Sequence, residues 1–425
     1  MDEVQEADRF VERVAGIDVG KAELKVCVRV PGDTPGRRRQ EVRTYPARTR
    51  AIVGLSDWLR CQGVDLVVME ATGDYWKPPF YLLESEFRCW LLDARQVKHL
   101  PGRPKTDRED AIWLAKVAER GMATPSFVPP KPIRRLRDLT RYRRGLIQDR
   151  TRNKQRLEKT LEDAQIKLSS VISDLHGVSG RAMIEALIGG QRDPKALAQL
   201  ARGSMRGKIG VLEEALTGHF DDHHALICQM MLSTIDTLSV QIEQLTAEIE
   251  CELAPFEHQV TQLDEVSGIG RICAQEIVAE IGVDMAVFAT AAHLVSWAKF
   301  CPHVTQSGGK PPRGGAAGHG DPWLASALGE AVIAASRTRS FLGERYRRLS
   351  RRRGKKKALV AVGNSMLTIV WHLLSDPDAR YRDLGPDFYE NHINQRRRER
   401  SLISQLEQIT GKKVALQSLP DQPAV

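Results

Sequence analysis

Two carboxylates stand three residues apart in the stretch PGRPKTDREDAIWLAK: Asp107 and Asp110, just after the basic residues Arg103 and Lys105. Residues at i and i+3 share a helix face, so this pair could grip a divalent cation, which prefers oxygen ligands. The same acids could instead serve the helix start, where carboxylates cap free N–H groups and suit the macrodipole. More acids tip the balance. Asp18 interrupts the apolar run of GIDVGK, where a charge is costly unless it is paired or bound to metal. Glu70 closes the apolar run VVME. Four acids at one sheet edge repel each other unless cations neutralise them. Two Mg²⁺ ions there would activate an attacking oxygen and stabilise a leaving one; Mn²⁺ is the alternative ion.

The elements that must position these acids read as a mixed α/β sheet. RVAGIDVGKAELKVCVRV forms two strands around the Gly20-Lys21 turn, and EVRTYPA forms a third. RTRAIVGLSDWLRCQG has helical spacing and stops at Gly63. Leu66 to Met69 is a buried strand, KPPFYLLESEF a helix, and RCWLLDA another strand before the helix that carries Asp107 and Asp110. Strand–helix alternation after an initial hairpin gives an α/β fold of mixed type. An Asp on the first strand, a Glu on a later one and a helical acid pair together make the metal site of ribonuclease H-like nucleases.

Beyond Pro129-Pro130 the strand signals cease. A long basic helix runs from Arg134 to Asp163, followed by shorter helices. Cys228, Met231, Ile235, Leu238, Ile242, Leu245 and Ile249 then alternate steps of three and four, a coiled-coil seam. Its partner is another helix of one bundle, the basic helix in antiparallel pairing, or a second chain. LDEVSGIGRICAQEIVAEIG reads as helix–Gly-x-Gly–helix, either a plain tight turn or a phosphate-binding one. SWAKFCPHVTQSGGKPPRGGAAGHGDPW is Gly/Pro-rich and reads mostly as loop. The expected divisions are 1–130, 131–258, 259–376 and a polar, flexible tail, 377–425.

Of the formal charge of +9 on 425 residues, Lys131–Lys159 carries +9 and Arg337–Lys357 carries +10, leaving the remainder at −10. Charge gathered in two patches is the footprint of a polyanion-binding protein. The expected nucleic-acid contacts are Arg134, Arg135, Arg141, Arg143 and Arg144 in the first patch, and Arg351, Arg352, Arg353, Lys355 and Lys356 in the second. The acidic N-terminus has no apolar core of a signal peptide, and no apolar run reads as a membrane span. Seven scattered cysteines without a C-x-x-C pair signal neither zinc nor a disulfide framework, as suits a reducing cytoplasm.

The chain resembles the DEDD-type insertion-sequence transposases of the IS one-ten family, also called bridge-RNA-guided recombinases. GIDVGK, VVMEATGDYW and GRPKTDREDAIWLAK carry the resemblance in the first half; VSGIGRICAQEIVAEIG, QSGGKPPRG and RRRGKKKALVAV carry it in the second. It implies a RuvC-like N-terminal domain whose Asp18, Glu70, Asp107 and Asp110 bind Mg²⁺, a coiled-coil linker, and a helical transposase domain with a nucleophilic serine. Here that serine is Ser307, with Lys310 and Arg313 beside it to neutralise a phosphate. The implied activity is DNA strand cleavage and rejoining through a phosphoserine link. The implied partners are element-end and target DNA, an element-encoded guide RNA and further copies of the chain, as dimer or tetramer, on the nucleoid of a bacterial cytoplasm. A metal-only nuclease or junction resolvase and a decayed nucleic-acid-binding protein are the rival readings. The chain departs from the family after the serine motif, with Ala316, Ala317, Asp321, Ala325 and Ser326 in GAAGHGDPWLASAL, which thins the basic grip on DNA there.

Overall fold

The computed structural model describes residues 11–34, 36–71, 73–94, 106–305, 313–391 and 395–414. The chain divides into two units, Met1–Val128 and Pro129–Val425.

In the first unit the β-branched runs form five strands: β1 (Val14–Val19), β2 (Glu23–Pro31), β3 (Arg38–Pro46), β4 (Leu66–Glu70) and β5 (Arg88–Leu92). Their order in the sheet is β3-β2-β1-β4-β5. β2 is antiparallel to β1 and β3, whereas β4 is parallel to β1 and β5 to β4. Helices α1 (Thr49–Cys61), α2 (Lys77–Leu83) and α3 (Asp107–Glu119) cover it. This is the mixed sheet expected from the sequence.

Side chains alternate between the two faces of a strand, and the packing follows that parity. Ala15, Ile17, Val67 and Met69 face the core formed with α1 and α2. Val14, Leu66 and Val68 face Ala111, Leu114 and Ala115 of α3. Even-numbered Asp18 and Glu70 therefore belong to the α3 face.

The second unit is mostly helical. Helix α4 (Lys131–Asp163) runs beside α5 (Asp222–Leu253). Arg150 donates to Ser239 Oγ at 3.2 Å, and Leu157 and Leu161 share a buried cluster with Cys228 and Ile235, so the two helices are antiparallel. Short helices between them fold onto the same cluster. The chain then continues through α6 (Glu257–Asp264), α7 (Arg271–Ile281), the hairpin β6 (Pro302–Thr305) and β7 (Arg313–Ala317), α8 (Pro322–Ser336), α9 (Phe341–Arg353), α10 (Lys355–Ser375) and α11 (Gln395–Thr410).

Three sequence expectations change here. The Gly/Pro-rich stretch carries a hairpin that was not expected, since β6 and β7 pair antiparallel within it. The tail beyond Pro377 is docked before it becomes α11. Buried Gln262 holds the carbonyls of Asp376, Pro377 and Ala379, Glu265 pairs with Arg380 at 2.5 Å, and Tyr389 stacks on Phe341. Lastly, Asp222–Asp264 and α10 are long and apolar enough to cross a membrane by length and composition. The same composition serves a core helix, and Val362, Met366, Leu367 and Val370 of α10 are fully buried.

Candidate active site and nucleic-acid interface

The acids of the first unit are brought to one edge by backbone alone. Ile17 pairs in register with Met69, so Asp18 and Glu70 follow as neighbours at the carboxyl ends of parallel strands β1 and β4. Asp18 is half-buried and Glu70 buried. Helix α3 lies unusually close to this sheet. A Cβ on Gly16 would come within 2.4 Å of the Ala111 carbonyl oxygen and of the Ala115 nitrogen. Val11 N donates to the Glu119 carbonyl at the far end of α3, so the helix runs antiparallel to β1. Asp18 stands two residues past Gly16, about 6.6 Å along the strand. Asp107 stands one turn before Ala111, about 6 Å along the helix. Both displacements lead to the same edge, and Asp110 lies between Asp107 and Ala111.

Asp107 and Asp110 both stand in the first turn of α3, where acids suit the macrodipole, as the helix-start reading expects. The cap of α3 is Thr106, whose Oγ1 accepts from Glu109 N at 3.4 Å and donates to the Glu109 carboxylate at 3.1 Å. That Thr-x-x-Glu pattern is a capping signature, present in the sequence as TDRE, which a reading of the aspartates alone overlooks. Four carboxylates suit a hard divalent cation. As the side chains stand, no three His, Cys, Asp or Glu among the described residues form a group able to hold a metal ion. The donor type suits such an ion. Cys27 sits on the same face but contributes no thiolate, since burial pushes its thiol up to about 12. Lys25 is Asp18's register partner on β2, with its Nζ 2.8 Å from Glu23 and 3.3 Å from Thr44 Oγ1.

Ser307 and Lys310 lie outside the described residues, as do Arg103 and Lys105, and so does the side chain of Arg313. The strand pairing sets Thr305 opposite Arg313.

The first basic patch divides in two. Arg135 is exposed and Arg134 half-buried, the latter donating to the Pro129 carbonyl at 3.0 Å. Arg143 and Arg144 are buried and Arg141 half-buried, and all three are engaged by other residues. Arg141 meets Glu280 through two bonds of 2.7 Å and Asp321 at 2.9 Å. Arg144 pairs with Glu276 at 2.6 Å, bonds Ser326, and reaches Glu330. Arg143 is 1% exposed and donates to Gln275 at 3.0 Å. Burial pushes the carboxyls of Glu276 and Glu280 up, and Arg144 and Arg141 oppose that rise. Asp321, which looked like a loss of basic grip, instead caps α8 by accepting from Trp323 N and Leu324 N while holding Arg141.

The second patch stays outside. Arg351, Arg352 and Arg353 end α9, Gly354 turns with φ 82°, and Lys355 and Lys356 open α10; all are exposed. Cations suit the end of α9 but not the start of α10, where the dipole is positive. Lysines held there gain most from an anionic partner. The Gly-x-Gly turn is at least partly a packing device: Gly268 has φ +97°, and a Cβ on it would strike the Ala331 carbonyl of α8 at 2.4 Å.

Residues 15–166 match a DEDD transposase model of the IS110 type, and residues 260–347 match the model described as Transposase IS116/IS110/IS902 family. The four acids fall in the first match and Ser307 in the second. No curated protein matches the chain. Two models of one family, in order and together spanning more than half of the sequence, set the identity: the chain belongs to the IS110 family of DEDD transposases, which act on DNA and generally use divalent metal ions.

Proposed function

We propose that this transposase moves its own insertion element by cutting and rejoining DNA strands. Asp18, Glu70, Asp107 and Asp110 would hold Mg²⁺, or Mn²⁺ in its place, and Ser307 would act as nucleophile. The observation that carries this reading is the adjacency of Asp18 and Glu70 at the carboxyl ends of β1 and β4, under the N-terminal turn of α3. Ligands of open α/β sheets bind outside the carboxyl ends of the strands. A divalent ion held there supplies charge neutralisation to a phosphate. The serine hydroxyl forms an Oγ–P bond, loses its proton, and displaces a sugar hydroxyl of the DNA. A sugar hydroxyl later attacks the phosphoserine, rejoins the strand and frees the serine. Arg351, Arg352, Arg353, Lys355 and Lys356 hold nucleic acid, which includes an element-encoded guide RNA that chooses the DNA sites. The working particle is a homo-oligomer.

The test is a covalent adduct. Protein purified with its RNA is incubated with element-end DNA and Mg²⁺, then denatured. A DNA-linked band that disappears in Ser307→Ala supports the serine mechanism. Asp107 is exposed, so Asp107→Ala leaves the fold intact and abolishes cleavage. Metal-dependent stabilisation shrinks in the same variant, because an ion that binds only the native state stabilises it by mass action. Cleavage without an adduct makes the protein a metal-only nuclease; binding without cleavage makes it a DNA-binding relic.

A further inference from the structure

We infer that Phe341, Arg345 and Arg348 of α9 form a slot for an unpaired nucleobase, closed in this structure by Tyr389 of the chain's own tail. The three residues follow one another at steps of four and three, so they share one face of α9. Tyr389 lies on that face. Its ring stacks on Phe341, with centroids 5.5 Å apart and planes 18° from parallel, and the Arg348 guanidinium lies over it at 4.4 Å. Phe341 and Arg348 stand two turns apart, about 10.5 Å along the helix, which sets them on opposite faces of the ring between them. Arg345 Nη1 donates to the Tyr389 hydroxyl at 3.0 Å. A flat ring held between an aromatic and a guanidinium, with a donor at its polar edge, is how proteins hold a splayed-out base. The cations of the slot are not satisfied by a phenol. Arg347 takes Glu344 at 2.9 Å, and among the described residues Arg345 and Arg348 have no carboxylate partner. Arg345 Nε is buried without a hydrogen bond. A nucleotide would bring them a phosphate, and the same helix face runs on to Arg352 of the second basic patch. The tail is also pinned upstream of the ring. The Asp383 carboxylate accepts from Phe341, Gly385 and Ser267, and Gly385 then turns with φ +80°. Rotation about ψ of Gly385 swings Tyr389 off α9 and leaves those hydrogen bonds in place.

The inference rests on the reading that the second basic patch holds nucleic acid, and the experiment separates the two. Full-length protein in EDTA is titrated into single-stranded DNA and RNA oligonucleotides of one sequence, and into the matching duplexes. Each carries 2-aminopurine, whose fluorescence stacking quenches. A base must compete with Tyr389 for the slot, and a site that is only partly open binds more weakly by its open fraction. Tyr389→Ala should therefore bind single strands more tightly than wild type, with deeper quenching. The gain should be roughly 5- to 140-fold, the worth of one stacked ring. Tyr389→Phe, which keeps the ring, should stay close to wild type. Adding Phe341→Leu to Tyr389→Ala should cancel the gain. A gain on DNA, on RNA or on both supports the slot and names the source of its base. Equal or weaker binding by Tyr389→Ala makes the tail a strut and overturns the inference. So does a gain that survives Phe341→Leu, or one that appears equally on the duplexes. An unchanged salt slope after replacing Arg351, Arg352 and Arg353 with alanine would instead sink the patch reading, while the Tyr389→Ala result still decides the slot.

Discussion

Gly16 and Ala115 touch where a side chain has no room: a Cβ on Gly16 would lie 2.4 Å from the Ala115 nitrogen. That contact sets the height of α3 above β1, and through it the distance from Asp107 and Asp110 to Asp18 and Glu70. Gly16→Ala must lift the helix. Overpacking of this kind costs about 1–3 kcal/mol or more. Urea unfolding should show that loss, and cleavage should fall further than stability alone explains. A Gly16→Ala protein as stable and active as wild type would mean that α3 is not fixed by this contact.

The two basic patches should respond in opposite ways. Arg141→Ala leaves Glu280, which is 2% exposed, with Arg137 as its remaining ion pair, at 3.1 Å. Removing one partner of a buried pair destabilises, by less here because Arg137 still compensates Glu280, so the melting midpoint should drop. The salt dependence of DNA binding should not change. Replacing Arg351, Arg352 and Arg353 with alanine should do the reverse. Stability holds, and the log–log salt slope falls by about 0.9 for each phosphate no longer neutralised. A slope that moves with Arg141→Ala would put that residue back on the DNA.

Much of the first unit was legible because its signals are local. Alternating apolar residues marked the strands, Gly20 and Gly63 marked the stops, and Asp18 was conspicuous as a charge in an apolar run. The faces of α4 were not legible. Charge density counts arginines but does not say which way they point. The carboxylates that receive Arg141 and Arg144 lie more than 130 residues away, at Glu276, Glu280, Asp321 and Glu330. The available signal was the other half of the pairing: Gln275, Glu276 and Glu280 interrupt an otherwise apolar α7 and are costly there without partners. Ser307 is proposed on the resemblance alone, since a serine in a Gly-rich stretch carries no pattern of its own.

Asp383 pins the segment that follows α10. Its carboxylate accepts from Phe341 N at 2.9 Å, Gly385 N at 2.7 Å and Ser267 Oγ at 2.9 Å. Burial alone would raise this carboxyl, but the hydrogen bonds from Phe341, Gly385 and Ser267 outweigh it and hold it below the usual 3.8. A depressed carboxyl contributes stability that is complete above its unfolded value and is lost as pH falls through the folded one. The docked segment should therefore hold from neutral pH down to about pH 4 and loosen only below. Asp383→Ala should expose residues 376–391 to protease at neutral pH. Equal cleavage of wild type at pH 7 would show that the carboxylate is not the pin.

The heptad seam of α5 decides whether these helices meet within a chain or between chains. An exposed apolar seam would argue for a partner copy. Here Cys228, Ile235, Ile242 and Ile249, one position of each heptad, are buried, and α4 of the same chain runs antiparallel beside them. The seam thus gives no argument for assembling the acids of one protomer with Ser307 of another. Ile249 is fully buried, so Ile249→Asp places an unpaired charge in the pairing and should destabilise the second unit by several kcal/mol. The size of that loss should be independent of protein concentration, because the contact is intramolecular. Unfolding followed at two concentrations about a hundredfold apart checks it. A destabilisation that grows on dilution would show that the seam pairs two chains after all.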